Sequence, residues 1–202
     1  MARTLLYLVR HGEQDRSSAH AVEGALSELG REQSRLLGQR LRGVPFSGIH
    51  HSPLPRAAQT ARIVADHLPG VAVHASDLLR DCTPIPSPAH QVPERWAGFL
   101  DAVPTDERDE GAVRVQAAVA HFSSVGAQDR TELLITHNFV IGWFVRHVLD
   151  APFWRWIGLN QFNCAITIVQ WQVDREPTLI TFNDLGHLPV HLRGQAPLEL
   201  WS

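Results

Sequence analysis

Two arginines and two histidines carry the chemistry this sequence can offer, and each stands just beyond an apolar run. Leu5–Asp15 reads LLYLVRHGEQD, so a short apolar stretch leads directly into Arg10 and His11. GIHHSPLPR leads to Arg56, and ELLITHN leads to His137. Guanidinium groups grip a phosphate through paired N–H donors, which orients the phosphorus as well as attracting it. A neutral imidazole near pH 7 is a nucleophile toward phosphorus. A second imidazole, if protonated, adds positive charge where a transferring phosphoryl group spreads its negative charge. Singly each residue is weak evidence, because a strand-end histidine is more often structural and a helix-start arginine is usually solvated. Jointly they describe a phosphate pocket with a histidine nucleophile.

For the four to meet, the runs that carry them must lie side by side and point the same way. Parallel α/β sheets gather ligands at the carboxyl ends of their strands. Leu5–Val9, Gly48–Ser52, Val71–Ala75 and Glu132–Thr136 read as short strands. Helices are expected over Leu29–Leu41, over Arg56–Leu68 behind Pro53 and Pro55, over Glu110–Val125, and over Asn138–Leu149 directly after His137. Another is expected over Pro93–Val103, where Trp96, Phe99, Leu100 and Val103 fall at i, i+3, i+4 and i+7. Two β-rich runs, CAITIVQWQV and PTLITF, come last. Strands alternating with helices predict an α/β fold, a three-layer α/β/α sandwich with a mainly parallel sheet. Arg56 at one helix start and His137 just before another would aim backbone N–H groups and dipole ends at the same anion.

The 202 residues suit one domain, 1–202, and 44% hydrophobic with 19% charged residues fits a globular chain. A formal net charge of −3 gives no basis for a nucleic-acid partner, so an anionic substrate needs a local positive cluster. Cys82 and Cys164 are the only cysteines, which argues against a disulfide framework and fits a reducing cytoplasm. Leu5–Val9 and Phe139–Val145 are too short for a signal core or a membrane span, so no membrane partner and a cytoplasmic location are expected. The 12 histidines include no set with ligand-spaced carboxylates or cysteines, so neither a metal nor a cofactor is expected.

Four motifs in order, VRHGE, LSELGREQ (Leu26–Gln33), SPLPRAAQTA (Ser52–Ala61) and THN (Thr136–Asn138), resemble the histidine phosphatase superfamily, also called phosphoglycerate mutase-like. With NDLGHL (Asn183–Leu188) the resemblance runs from about Leu5 to His187. It implies a phosphoglycerate mutase-like fold, His11 as the phosphorylated nucleophile, and Arg10, Arg56 and His137 as the phosphate clamp. Ser17 and Asn138 become further phosphate contacts, with Ser17 standing where mutases carry an asparagine. DLLRDCTPIPSP places Asp81 where the family carries its acid, typically a glutamate one methylene longer. Glu13 fits the RHGE motif and is read as holding its loop, and Asn183, Asp184 and His187 are read as structural.

The stretches LLRDCTPIPSP, THNFVIGWFV and NCAIT are similar to the phosphatase branch containing the mitochondrial phosphoglycerate-mutase-like serine/threonine protein phosphatase. The implied activity is that of a metal-independent phosphoric monoester hydrolase of the histidine acid phosphatase type, acting on a phosphorylated small molecule or a phosphoprotein. The alternatives are a cofactor-dependent phosphoglycerate mutase and a catalytically weak phosphate-binding or scaffold protein. Residues 82–110 would roof the site, with Trp96 and Phe99 as pocket lining or core. Trp154 and Trp156 are read as packing or as contacts of a homo-oligomer.

Overall fold

Short apolar runs decide where the strands of the sheet lie, and the amphipathic stretches between them become its covering helices. The computed structural model describes residues 2–17, 24–85 and 92–194. Its strands are β1 (Arg3–Arg10), β2 (Gly48–His51), β3 (Val73–Ala75), β4 (Arg130–Thr136), β5 (Ile166–Gln172) and β6 (Arg175–Asp184). Its helices are α1 (Glu28–Arg40), α2 (Pro55–Ala65), α3 (Ala97–Asp101), α4 (Thr105–Phe122) and α5 (Asn138–Val148). The strands form one sheet in the order β3-β2-β4-β1-β5-β6. β1 runs parallel to β4, β4 to β2, and β2 to β3, while β5 and β6 extend the sheet antiparallel. The sheet is therefore mainly parallel, as the sequence predicts.

Successive residues of a strand point to opposite faces, and the core divides accordingly. Leu6, Leu8 and Leu134 pack with Phe122 of α4 and with Val140, Trp143 and Phe144 of α5. Val9, Leu133 and Ile135 pack on the other side with Leu37 of α1 and with Ala57, Ala61 and Val64 of α2. The two clusters make the three-layer sandwich. β1 and β4 are central, so the residues following them emerge together at one sheet edge.

Local signals set most helix ends. Ser27 caps α1 by accepting the Gly30 N–H at 3.0 Å, and Pro55 opens α2 at its first position. The expected helix over Pro93–Val103 is divided into a 3₁₀ turn at Glu94–Trp96 and the short α3. Pro93 and Pro104 fence this segment and Gly98 sits inside it, which leaves too few residues for a stable longer helix. α4 begins at Thr105 rather than Glu110, because Pro104 marks its start while its first turn carries no apolar period. The predicted proline-rich loop Cys82–Pro88 lies partly outside the described residues. Among them no helix is long and apolar enough to cross a membrane.

Candidate active site

The parallel register delivers the two histidines as neighbours. Arg10 ends β1 beside Thr136 at the end of β4, and the His11 N–H donates to the Thr136 carbonyl at 3.0 Å. The next residue is His137, which precedes α5. Ser52, just after β2, donates its N–H to Ile135 O at 3.0 Å, and Pro55 then starts the helix that carries Arg56. The rings of His11 and His137 stand 5.1 Å apart. Both, with Arg56, are buried at 5% exposure or less.

Arg56 joins the cluster. Its Nε–H donates to His11 Nε2 at 3.1 Å. Its Nη2 lies 2.7 Å from Asp81 Oδ2 and 3.3 Å from His137 Nδ1. His11 Nδ1 is 2.7 Å from the Gly12 carbonyl. A carbonyl only accepts, so Nδ1 carries the proton and Nε2 keeps its lone pair. Burial pushes the His11 pKa well below its ordinary value, and the positive groups around it push the same way. The result is a neutral imidazole with a committed tautomer and one nucleophilic nitrogen. Burial, Arg56 and Arg10 likewise hold the His137 pKa well down. His137 is therefore neutral beside these cations, and a bound dianion is what would favour its protonated form.

Arg10 donates from Nη1 to Gln161 O at 2.6 Å, while its buried Nε has no hydrogen-bond partner. Desolvation lowers its pKa to about 10, which still leaves it cationic at neutral pH. Asp81 is pushed above the usual carboxylate range by desolvation, against the opposing pull of Arg56 and Arg10. Its side chain keeps 41% exposure, so water reaches the group. A carboxyl group, two imidazoles and two guanidinium groups thus meet from four chain segments.

The RHGE loop is pinned from behind. A Cβ on Gly12 would stand 2.5 Å from Gly30 O, so only glycine allows this approach to α1. Gly12 N–H donates to Thr60 Oγ1 at 3.0 Å, and Glu13 N–H donates to Gln33 Oε1 at 2.9 Å. Glu13 also accepts the Ser27 hydroxyl at 2.9 Å, in keeping with a loop-holding role. Asn163 Nδ2 donates to His11 O at 2.8 Å.

The two further residues expected to touch phosphate make contacts within the protein. Ser17 is exposed and donates both its N–H and its hydroxyl to Asp15 Oδ1. Asn138 donates to Asn160 Oδ1 at 2.8 Å and accepts the Gln161 N–H at 2.7 Å, so it braces the loop whose carbonyl holds Arg10. Asn183 adopts a left-handed φ of 58° and accepts the Phe162 N–H, which closes the same loop. Ser52, Thr60, Gln161 and Asn163 were not singled out by sequence reasoning. Ser52 and Thr60 lie inside SPLPRAAQTA, which offers a signal, whereas the loop residues Gln161 and Asn163 offer none. Among the described residues, no group of three or more His, Cys, Asp or Glu is arranged to hold a metal.

A family model described as "Histidine phosphatase superfamily (branch 1)" matches residues 6–185. The chain is 31% identical over 193 residues to "Serine/threonine-protein phosphatase PGAM5, mitochondrial" of Rattus norvegicus, covering 91% of this chain and 64% of that protein. The chain therefore spans a little under two thirds of the length of that relative. It is 30% identical over 185 residues to "Probable phosphoglycerate mutase GpmB" of Photorhabdus laumondii, covering 83% of this chain and 85% of that one. Among solved structures, Bacillus stearothermophilus YhfR superposes with a TM-score of 0.68 at 23% identity, covering 91% of this chain and 98% of that one. The cytoplasmic expectation is corrected here, because the PGAM5 relatives are labelled mitochondrial. Cysteine usage and short apolar runs bear on redox state and membrane crossing, and neither specifies a compartment.

Proposed function

The chain belongs to the histidine phosphatase superfamily, and on that premise we propose that it hydrolyses phosphomonoesters through a phosphohistidine on His11. The observation that carries the reading is the neutral His11, whose Nε2 lone pair meets Arg56 with His137 alongside. An arriving phosphate competes for the Arg56 N–H groups and uncovers Nε2. Nε2 attacks phosphorus in line, the phosphorus–ester oxygen bond breaks, and its electron pair leaves on the ester oxygen. Asp81, protonated, supplies that oxygen with a proton. The Nδ1–H bond to Gly12 O orients the ring and steadies the charge it acquires. In the second step Asp81, now a carboxylate, takes a proton from water as the water oxygen attacks phosphorus. The nitrogen–phosphorus bond then breaks with its electron pair returning to Nε2. Arg10 and Arg56 remain cationic throughout and hold the equatorial oxygens.

This makes the chain a metal-independent phosphoric monoester hydrolase of the histidine acid phosphatase type, with residues 1–202 as one domain. Residues 82–110, of which 86–91 lie outside the described residues, are proposed to roof the site. The start of this segment directly after Asp81 and the packing of Trp96 and Leu100 into the core with Leu79 support this. The PGAM5 similarity favours a serine/threonine phosphoprotein substrate over a small metabolite. Rapid quenching into alkali tests the mechanism. An aryl phosphate should leave an acid-labile phosphoprotein that His11→Ala abolishes. Turnover without that intermediate would refute the proposal.

The GpmB similarity supports mutase activity as a second reading. Against it, Pro84–Arg130 offers few basic residues to hold a substrate carboxylate. Isomerisation of 3-phosphoglycerate in the presence of 2,3-bisphosphoglycerate would establish the mutase instead.

A further inference from the structure

The two ring nitrogens of His137 keep different company. Nε2 lies 2.8 Å from Ser52 Oγ. Nδ1 lies 3.3 Å from Arg56 Nη2 and 3.5 Å from Asp81 Oδ2. A guanidinium has donors and no acceptor, so the ring atom that faces it carries a lone pair. The proton of neutral His137 then sits on Nε2 and is donated to Ser52 Oγ.

Ser52 is built for this task. It is fully buried, and its backbone N–H is tied to Ile135 O of β4. Its Oγ also accepts the Leu54 N–H at 3.3 Å, at the entry to α2. The backbone is thus held by β4 and the hydroxyl oxygen by the Leu54 N–H, both apart from the imidazole.

We propose that Ser52 is the positioning residue of His137, fixing the Nε2–H tautomer so that the Nδ1 lone pair faces the Asp81 carboxyl group. The inference rests on the phosphatase reading and refines it. The second imidazole is then a hydrogen-bond acceptor turned toward the acid, rather than a cation formed in advance. The ionisable groups around it are His11 and Arg10 from the end of β1, Arg56 from α2, and Arg80 and Asp81 from the segment after β3. The three arginines oppose a charge on His137, so its Nδ1 stays an acceptor until an anion arrives. A proton taken up when a phosphoryl dianion binds enters at Nδ1, on the side where the chemistry occurs. A tautomer with its hydrogen on Nδ1 would meet the Arg56 donors instead and break the clamp.

The test reads the tautomer directly. Long-range ¹H–¹⁵N spectra of the whole protein near pH 7 should show neutral His137 protonated at Nε2. Ser52→Ala should give a mixture of tautomers. Loss of one neutral hydrogen bond corresponds to roughly a tenfold fall in kcat on a poor-leaving-group phosphate, with KM changed by less than about twofold. Ser52→Thr keeps the hydroxyl and should restore both tautomer and rate. A wild-type ring protonated at Nδ1, or a Ser52→Ala ring that keeps the wild-type tautomer, would overturn the proposal. Should the alanine variant fail to fold, the wild-type spectrum and Ser52→Thr still decide. Because the spectrum needs no turnover, a wild type that hydrolyses no phosphate yet shows the Nε2–H ring refutes the phosphatase reading while supporting the positioning.

Discussion

Replacing Asp81 by asparagine separates acid catalysis from binding. Asparagine keeps the shape and can still accept from Arg56, whose Nη2 lies 2.7 Å from Asp81 Oδ2, so the clamp should survive. What is lost is the proton. A positioned general acid contributes roughly 10²–10⁴-fold. The 41% exposure of Asp81 allows water to compete as donor, which places the expected loss near the lower end, about 10². That loss should appear on alkyl phosphates, whose departing oxygen must be protonated. Activated aryl phosphates leave as stable anions and should lose less than about tenfold.

The pH profile sharpens the test. Asp81 is raised and must be protonated to act, so kcat/KM on alkyl phosphates should fall as pH climbs through its pKa. His11 is lowered and must be neutral to attack, so the nucleophile persists well below pH 6.5. Wild-type activity on poor leaving groups should therefore peak on the acid side, and Asp81→Asn should erase the alkaline limb. Steady-state kinetics on a graded series of phenyl and alkyl phosphates measures both effects. Equal losses across the series, or an alkaline limb that survives the substitution, would remove Asp81 from the role of acid.

The two buried imidazoles also predict acid sensitivity. Their pKa values are lower in the folded protein than in the unfolded chain, so stability is lost as pH falls below about 6.5, by up to roughly 1.4 kcal/mol per pH unit for each. Urea midpoints at pH 7 and pH 5.5 check this, and His11→Asn should shrink the drop; equal midpoints in the wild type would refute it. Gly12→Ala forces a methyl group to within 2.5 Å of Gly30 O and should cost about 1–3 kcal/mol, read as a lower melting temperature. The same variant should reduce kcat more than it raises KM, since Gly12 O orients the His11 ring. The proposed mechanism draws its positive charge from Arg10 and Arg56 rather than a metal, so dialysis against EDTA should leave turnover unchanged; a rate restored only by added divalent cation would contradict that.

The parts of the site that were legible in the sequence are those tied to a periodic element. Arg10, His11 and His137 follow apolar strands, and the parallel pairing of β1 with β4 turns two distant sequence positions into neighbours. Arg56 follows a proline at a helix start, where the local signal is strong. Asp81 carries no such pattern and was placed by motif order. Gln161 and Asn163 lie in a loop that the chain brings back to β1 only through tertiary contacts, so periodicity cannot reveal them. The helix expected over Pro93–Val103 had the right apolar spacing, but spacing reports which face is buried and not whether the helix is long enough to persist.

In the proposed mechanism the reactivity of His11 depends on how its surroundings differ at each ring nitrogen. The Gly12 carbonyl takes one nitrogen and Arg56 touches the other, so a single lone pair faces the cations that will hold phosphate. Neither partner could be moved independently. Gly12 is fixed by Gly30 behind it, and Arg56 by the start of α2. The same pairing recurs at His137, where Ser52 takes one nitrogen and Arg56 with Asp81 faces the other. One guanidinium thus reads the lone pair of both imidazoles at once. Lysine at position 56 would keep the charge but lose the fork that reaches His11, His137 and Asp81 together. Arg56→Lys should therefore impair turnover more than it weakens inorganic phosphate binding, and an equal loss in both would mean that Arg56 contributes charge alone.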